Sequence, residues 1–320
     1  MVTENRKKVA ILGATGHIAK NLIMGLSSLK DYQMYLFART REKLVTFLNV
    51  NNIVDGISIC DYEQFELADA YDVIINCIGI GNPQELVESP YSVFQITEKY
   101  DNLILNYLVG SPTTIYINLS SGAAYGSDFT EPAIQDKVLS LNINHLSVKD
   151  FYGISKLNME AKHRSLNKHK IIDLRIFGFF SSYIDLNSKF LLTDVLGCIE
   201  RNTILQTSAE DIIRDYVHPQ DFLKLIILCM GKDTGNDVYD VYSLKPVSKF
   251  KMLEYFSTEH GLRFKILSEA ICDSVTGSKK NYYSMNHKAL DIGYKPQYTA
   301  LQSVIDGYQQ FRMRNKNEND

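Results

Sequence analysis

Short, nearly unbroken apolar runs alternate with amphipathic stretches through the first half of the chain. Residues 8–13 (KVAILG), 34–38 (MYLFA), 57–60 (ISIC), 73–77 (VIINC), 115–119 (IYINL) and 171–177 (IIDLRIF) form the runs. Continuous rather than alternating hydrophobicity marks strands buried on both faces, as in a parallel sheet covered by helices. Helical patterns run from Gly16 to about Leu29 and span 91–108 and 151–167. Strand–helix alternation of this kind predicts an α/β fold with a doubly wound parallel sheet.

After Phe177 the rhythm changes. A helix is expected near 190–201, followed by a return segment at 214–230 whose Pro219 suits a first helical turn. A strand near 238–243 and a helix that Ser248 can cap come next. Residues 1–177 with about 214–241 are therefore read as one domain. About 178–213 with 242–311 are read as a smaller, interleaved C-terminal lobe, and 312–320 (MRNKNEND preceded by Arg312) as a flexible polar tail. The connection 127–150 exceeds the usual loop length and is expected to form a flap over the site.

Composition narrows the classes. The 320 residues are 45% hydrophobic with a formal net charge of −3, a globular balance lacking the basic excess of nucleic-acid or membrane-surface binders. No apolar run reaches the ~18 residues of a membrane span, and the N-terminus does not read as a signal peptide. Cys60, Cys77, Cys198, Cys229 and Cys272 are scattered and form no CxxC pair, as in buried thiols of a reducing cytoplasm. His145, His163 and His169 are spaced like surface or helix histidines, and no metal site is expected.

Gly13-Ala14-Thr15-Gly16-His17-Ile18-Ala19 lies between the first strand and the first helix. Gly13 permits the tight turn, Gly16 lets a pyrophosphate approach the backbone, and the small Ala19 allows close helix–strand packing. The turn is either a Rossmann-type dinucleotide site, with the helix N-terminus facing the phosphates, or a merely structural turn. At the end of the second strand stands Phe37-Ala38-Arg39-Thr40-Arg41, with no acid to bond a ribose 2′-hydroxyl. Arg39 and Arg41 either hold a 2′-phosphate, which selects NADP(H), or are solvated loop charges.

Tyr152 and Lys156 are spaced i, i+4 and share a helix face. A tyrosine phenol has a reference pKa near 10, and a neighbouring ammonium favours the phenolate, which makes the phenol a usable acid–base. Ser121 follows the 115–119 run, where a parallel strand's carboxyl end meets the ligand crevice. It either bonds a substrate oxygen beside Tyr152 or, with Ser120, only begins a turn.

With these residues in place, the sequence resembles the extended short-chain dehydrogenase/reductases that act on nucleotide-activated sugars, the NAD-dependent epimerase/dehydratase family. The resemblance runs nearly the whole chain. GATGHIA is similar to the cofactor loop, which implies cofactor contacts from Gly13, Thr15, Gly16, His17 and Ile18. Asp61-Tyr62 resembles the pair flanking the adenine, and Cys77-Ile78-Gly79 the small-residue strand end that passes the cofactor. SSGAAYG places the catalytic serine on Ser121, and YGISK places the Tyr–Lys pair on Tyr152 and Lys156. Arg214 opens a segment similar to the late Arg-Asp motif, which implies contact with a sugar-nucleotide diphosphate. Residues 291–296 (DIGYKP) resemble the closing turn. The family commonly has Asn where this chain has Gly178, so substrate contacts transfer poorly there. Lys279-Lys280 either reaches a phosphate or is a solvated pair.

The resemblance also bears on the reaction. Dehydratases of the family carry Asp and Glu after the serine or threonine, and C3/C5 epimerases a Cys two residues on; here stand Gly122 and Ala123. That leaves reduction of a C4 keto group or C4 epimerisation with tightly bound NAD. Selection of NADPH favours the first: an NADPH-dependent reductase of a nucleotide-diphosphate 4-keto, 6-deoxy sugar, cytoplasmic, serving surface polysaccharide synthesis. A non-catalytic NADP(H) sensor is the remote alternative. The family's dimers pair two helices of each subunit, which here implies a homodimer through 91–108 and 151–167, whose apolar faces include Val93, Ile96, Leu103 and Leu157.

Overall fold

The computed structural model describes residues 6–65, 70–81, 83–231, 235–267 and 279–317. In chain order the first part runs β1 (Lys7–Leu12), α1 (His17–Leu29), β2 (Tyr32–Phe37), α2 (Arg41–Val50), β3 (Ile57–Cys60), β4 (Val73–Asn76), α3 (Pro83–Glu88), α4 (Ser92–Gly110), β5 (Ile115–Ser121), α5 (Val148–Ser165) and β6 (Lys170–Ile176). Then follow α6 (Leu191–Glu200), β7 (Ile204–Ser208), β8 (Ile213–Arg214), α7 (Pro219–Gly231), β9 (Asp237–Val241), β10 (Val247–Ser248), α8 (Lys249–His260), β11 (Arg263–Leu267), β12 (Asn281–Tyr282) and α9 (Ala300–Asn317). Pro219 opens α7, and Ser248 Oγ accepts from Lys251 N–H at the start of α8.

Seven strands form one parallel sheet in the order β3-β2-β1-β4-β5-β6-β9. The order reverses at β1/β4, where a doubly wound sheet opens its ligand crevice. Along β1, Val9 and Ile11 face α1 and α7, while Ala10 and Leu12 face α4. Both sets are fully buried, which is why the run shows no polar alternation. Val9, Ile11 and Leu12 each contribute roughly 1.5–3 kcal/mol by burial.

A second core gathers Leu196, Leu205, Leu253, Phe256 and Phe311 from α6, β7, α8 and α9, with Phe180 from the segment after β6 and Phe264 of β11, the strand paired with β7, packed against them. Phe311 and Tyr308 belong to that core, so residues 312–317, expected in the tail, continue α9 as helix. Arg314 reaches back over the Tyr183 ring. Ala289 and Tyr294 depart from the expected division too: they pack into the main-sheet core, with Tyr294 Oη donating to the Tyr242 carbonyl at 2.7 Å. A third, small sheet has the order β10-β8-β12.

Val93, expected on an apolar outer face of α4, is buried against Ile80 and Leu86 within the chain. The 127–150 connection is pinned by Phe129 and Ala133 to residues 281–285. None of its residues borders the large cleft described below, so it is a brace rather than the expected flap. Cys272 lies outside the described residues.

Between α4, α5 and the sheet sits a buried ionic cluster. His163 bonds Asp101 at 2.8 Å and Asp173 at 2.9 Å, with Lys162 and Arg164 on the outer oxygens. Burial opposes a charged imidazole, but the two carboxylates outweigh it and raise His163 to about 9. Its folded value therefore exceeds the ordinary 6.5, so the stability it supplies is complete below pH ~6.5 and is lost as pH rises through about 9. Urea midpoints of the wild type should fall over that window relative to those of His163→Gln; parallel curves would contradict the charge assignment.

Candidate active site

Gly13 has φ +75°, and a Cβ there would stand 3.0 Å from Ile78 and 3.2 Å from the Cys77 carbonyl carbon and oxygen. The residue thus serves both the left-handed turn and the close passage of the β4 end. Gly16 caps α1 with no side chain over its amides, and no acid occupies the first turn. Open N–H groups at the positive end of a 13-residue helix fit a pyrophosphate. Ala19 is fully buried beneath the turn. Thr15, Gly16 and Ile18 stay at the loop and helix start as expected.

His17 shows a different role for its side chain. The ring bonds Ser181 Oγ at 2.8 Å, and burial, followed by the Lys20 charge, lowers it to about 4. A neutral imidazole adds no cation to a phosphate site; it ties the loop to the segment after β6. Tyr62 lies under the turn, its hydroxyl accepting from Gly13 N–H at 3.2 Å and donating to the Phe37 carbonyl. Asp61 is exposed and opens the short 3-10 turn beside it. Arg39 and Arg41 are exposed at the carboxyl end of β2, Arg41 reaching the Ile59 carbonyl at 3.5 Å.

A cleft of about 750 Å³ opens over the carboxyl ends of β1, β4, β5 and β6. It brings together Gly16, His17, Ile18, Cys77, Ile78, Gly79, Ser121, Tyr152, Lys156 and Arg214; Gly13, Thr15, Arg39, Arg41, Asp61 and Tyr62 lie outside its lining. Ser147 and Asp150 cap α5, whose Tyr152 and Lys156 face this space. Lys156 is 3% exposed; its Nζ donates to the Leu119 carbonyl at 3.1 Å and lies 5.9 Å from the Tyr152 ring centre. One turn on, Glu160 accepts from Ser120 Oγ at 2.5 Å and pairs with Arg175, fastening α5 to β5. Ser120 is thereby occupied, while Ser121 opens the turn Gly122–Tyr125 and borders the cleft.

Beside Ser121, the Phe177 ring fills the place of a Gly122 side chain: a Cβ there would stand 2.5 Å from it. At Gly178 a Cβ would run into the Asp215 carbonyl, because the Arg214 segment packs against this strand end. Arg214 Nη1 is held by the Ile213 and Lys279 carbonyls. Lys279 joins Arg214 in the cleft wall while Lys280 is exposed. Desolvation and then the Arg214 charge push the Lys279 ammonium down to about 7. Two cations here fit a diphosphate.

Tyr282 went unread in the sequence. Its hydroxyl stands 3.1 Å from Ser121 Oγ, 161 residues away in the chain, and no local pattern distinguishes it among 20 tyrosines.

Residues 9–244 match the profile of the NAD dependent epimerase/dehydratase family. No curated protein sequence matches the chain. Among solved structures, a UDP-N-acetylglucosamine 4-epimerase from Methanobrevibacter ruminantium, complexed with UDP-N-acetylmuramic acid, superposes with TM-score 0.81 at 18% identity, covering 97% of this chain and 99% of that one. A UDP-glucose 4-epimerase from Bifidobacterium longum with NAD+ and UDP gives 0.78 at 16%, covering 97% and 99%. A dTDP-glucose 4,6-dehydratase from Bacillus anthracis with NAD gives 0.78 at 16%, covering 97% and 98%.

The Lys279 position generates a pH dependence. The diphosphate of a nucleotide sugar does not titrate near neutrality, so affinity for UDP-glucose as a probe should weaken as pH rises above about 7, by at most about tenfold per unit. Calorimetric titration from pH 6 to 8.5 checks it: Lys279→Met should flatten the profile, and a flat wild-type profile would refute it.

Proposed function

We propose an NADPH-dependent reductase role for this chain, which belongs to the NAD dependent epimerase/dehydratase family: conversion of the C4 carbonyl of a nucleotide-diphosphate 6-deoxy sugar to the alcohol, in surface polysaccharide synthesis. The observation that carries it is the acid-free, doubly basic end of β2, Ala38-Arg39-Thr40-Arg41. A carboxylate there would favour a ribose 2′-hydroxyl, whereas two guanidiniums suit a 2′-phosphate. The Phe177 ring over Gly122 supports the same reading, since it leaves no room for the extra acid a dehydration needs. Phe177 also presents an apolar wall suited to a deoxy carbon.

The nicotinamide supplies the hydride. Tyr152 gives its phenolic proton to the oxygen as the C4 alkoxide forms and regains one from solvent. Ser121 donates a hydrogen bond to the same oxygen, and the Lys156 ammonium favours the transient phenolate. Arg214 and Lys279 hold the diphosphate, which fixes the sugar over Ser121 and Tyr152. The dinucleotide is gripped by Gly13, Thr15, Gly16 and Ile18 of the turn, with Asp61 and Tyr62 toward the adenine and Cys77, Ile78 and Gly79 beneath the nicotinamide half. Residues 1–177 with 214–241 form the cofactor half, and two copies pair through α4 and α5.

A second reading, C4 epimerisation with retained NAD, draws on the several 4-epimerases among the similar structures. Turnover separates the two. Mixing the protein with NADPH and a panel of CDP-, dTDP-, GDP- and UDP-linked 4-keto sugars should consume NADPH stoichiometrically. Isomerisation of an unoxidised sugar nucleotide with no NADPH loss would establish the epimerase instead.

For the coenzyme, a charge-assisted contact of ~1.5–3 kcal/mol predicts at least about tenfold tighter NADPH than NADH binding. Fluorescence titration should show that preference collapsing in Arg39→Ala; equal affinities in the wild type would refute it. For the acid, Tyr152→Phe keeps the ring, so NADPH should bind normally while kcat drops ~10²–10⁴-fold. Unchanged turnover would remove Tyr152 from the reaction.

A further inference from the structure

Ser121 has one hydrogen to donate and two lone pairs to accept with. Ala123 N–H donates to its Oγ at 3.2 Å, which fills one lone pair. The Tyr282 hydroxyl, 3.1 Å away, is the neighbour for the other. Tyr282 is held firmly for that task. Phe129 meets its ring edge-to-face at 4.7 Å, Phe177 flanks it at 5.2 Å, and Lys279 Nζ lies 4.4 Å from the ring centre. Its backbone pairs in parallel with Arg214. Burial drives its phenol far above the ordinary value of 10, so Tyr282 keeps its proton throughout the neutral range.

We propose that Tyr282 is a positioning residue: it donates its O–H to Ser121 Oγ, so that both lone pairs of Ser121 are taken and its single hydrogen can only point into the cleft, at the substrate oxygen. The inference rests on the reading of Ser121 as a substrate-binding hydroxyl. It adds a residue from the C-terminal part of the chain to a site whose other reacting groups come from β5 and α5. With Tyr282 fixed as donor, Ser121 meets a carbonyl or alkoxide oxygen already oriented and loses no rotational freedom when substrate enters.

A double-mutant cycle tests it on whichever sugar the wild type turns over. Tyr282→Phe retains the ring packing and should lower kcat about three- to tenfold, with KM within about twofold. In a Ser121→Ala background the same change should cost nothing further, because its effect passes through that hydroxyl. Losses that multiply, or an unchanged kcat in Tyr282→Phe, would overturn the proposal. A neutron structure of the wild type reads the same point without turnover: the Tyr282 deuteron should lie toward Ser121, and the Ser121 deuteron toward the cleft. A Ser121 deuteron lying on the line to Tyr282 would overturn the proposal even if the reaction is as described. Absence of turnover across the sugar panel, by contrast, would count only against the functional reading.

Discussion

The buried pair of Glu160 with Arg175, Nη2 to Oε2 at 2.5 Å, holds the reacting part of the molecule in register. Glu160 stands one turn beyond Lys156 on α5; Arg175 stands on β6. Ser120 adds its hydroxyl from β5 at 2.5 Å, and Arg175 also lies over the Tyr125 ring and 3.7 Å from Asp240 on β9. Asp240 in turn accepts from Tyr125 and Ser284, two residues beyond Tyr282. Removing two charges from water is costly, and such pairs are weak evidence for net stability. What this one supplies is position: each oxygen of Glu160 has a partner, so sliding α5 along the sheet would strand a buried charge. Breaking one partner of such a pair typically costs about 3–5 kcal/mol, far more than the rotation of one hydroxyl. The serine strand and the Tyr–Lys helix are therefore set by a contact that touches neither substrate nor cofactor.

Close packing then decides what the site cannot do. Gly122 and Gly178 read as gaps in the family pattern when taken as letters. In space both are occupied positions, the first by the Phe177 ring and the second by the Asp215 carbonyl. A carboxylate beside Ser121 would need Phe177 to leave, and Phe177 also packs on Tyr125, Phe129 and Tyr282. The missing acid is thus tied to a whole aromatic cluster. On the proposed reading, a restriction to proton and hydride exchange at a single carbon would follow from packing as much as from residue type.

The parts of the fold that were legible in the sequence share a physical cause. β1, β4 and β5 are buried on both faces, so each shows as an unbroken apolar run, and the glycine turn between β1 and α1 has a spacing set by its own backbone. Tyr152 and Lys156 were legible because one helix carries both. What escaped has no local signature. β8, β10 and β12 are two residues long, too short to show any period, and they exist only through pairing with one another. Val93 reads as an outer apolar position until α3 covers it, and residues 312–317 read as tail because their polar composition hides a helix anchored by Phe311. Lys279 is chemically indistinguishable from Lys280 in the sequence; only burial separates them.

On the proposed reading, the small sheet that was hardest to foresee links the groups that meet the two ends of a nucleotide sugar. Arg214 on β8 and Tyr282 on β12 sit at the same register of one parallel ladder, and Lys279 lies three residues before Tyr282. A strand pair spaces its neighbours by about 5 Å with little freedom to drift. Groups suited to a diphosphate are therefore carried on the same rigid unit as the partner of Ser121. Any movement of this sheet toward or away from the main one would change both together. In the proposed reading, a diphosphate seated on Arg214 and Lys279 is thereby held at a fixed distance from Tyr282 and Ser121, so that binding far from the reacting carbon places it against groups already in position.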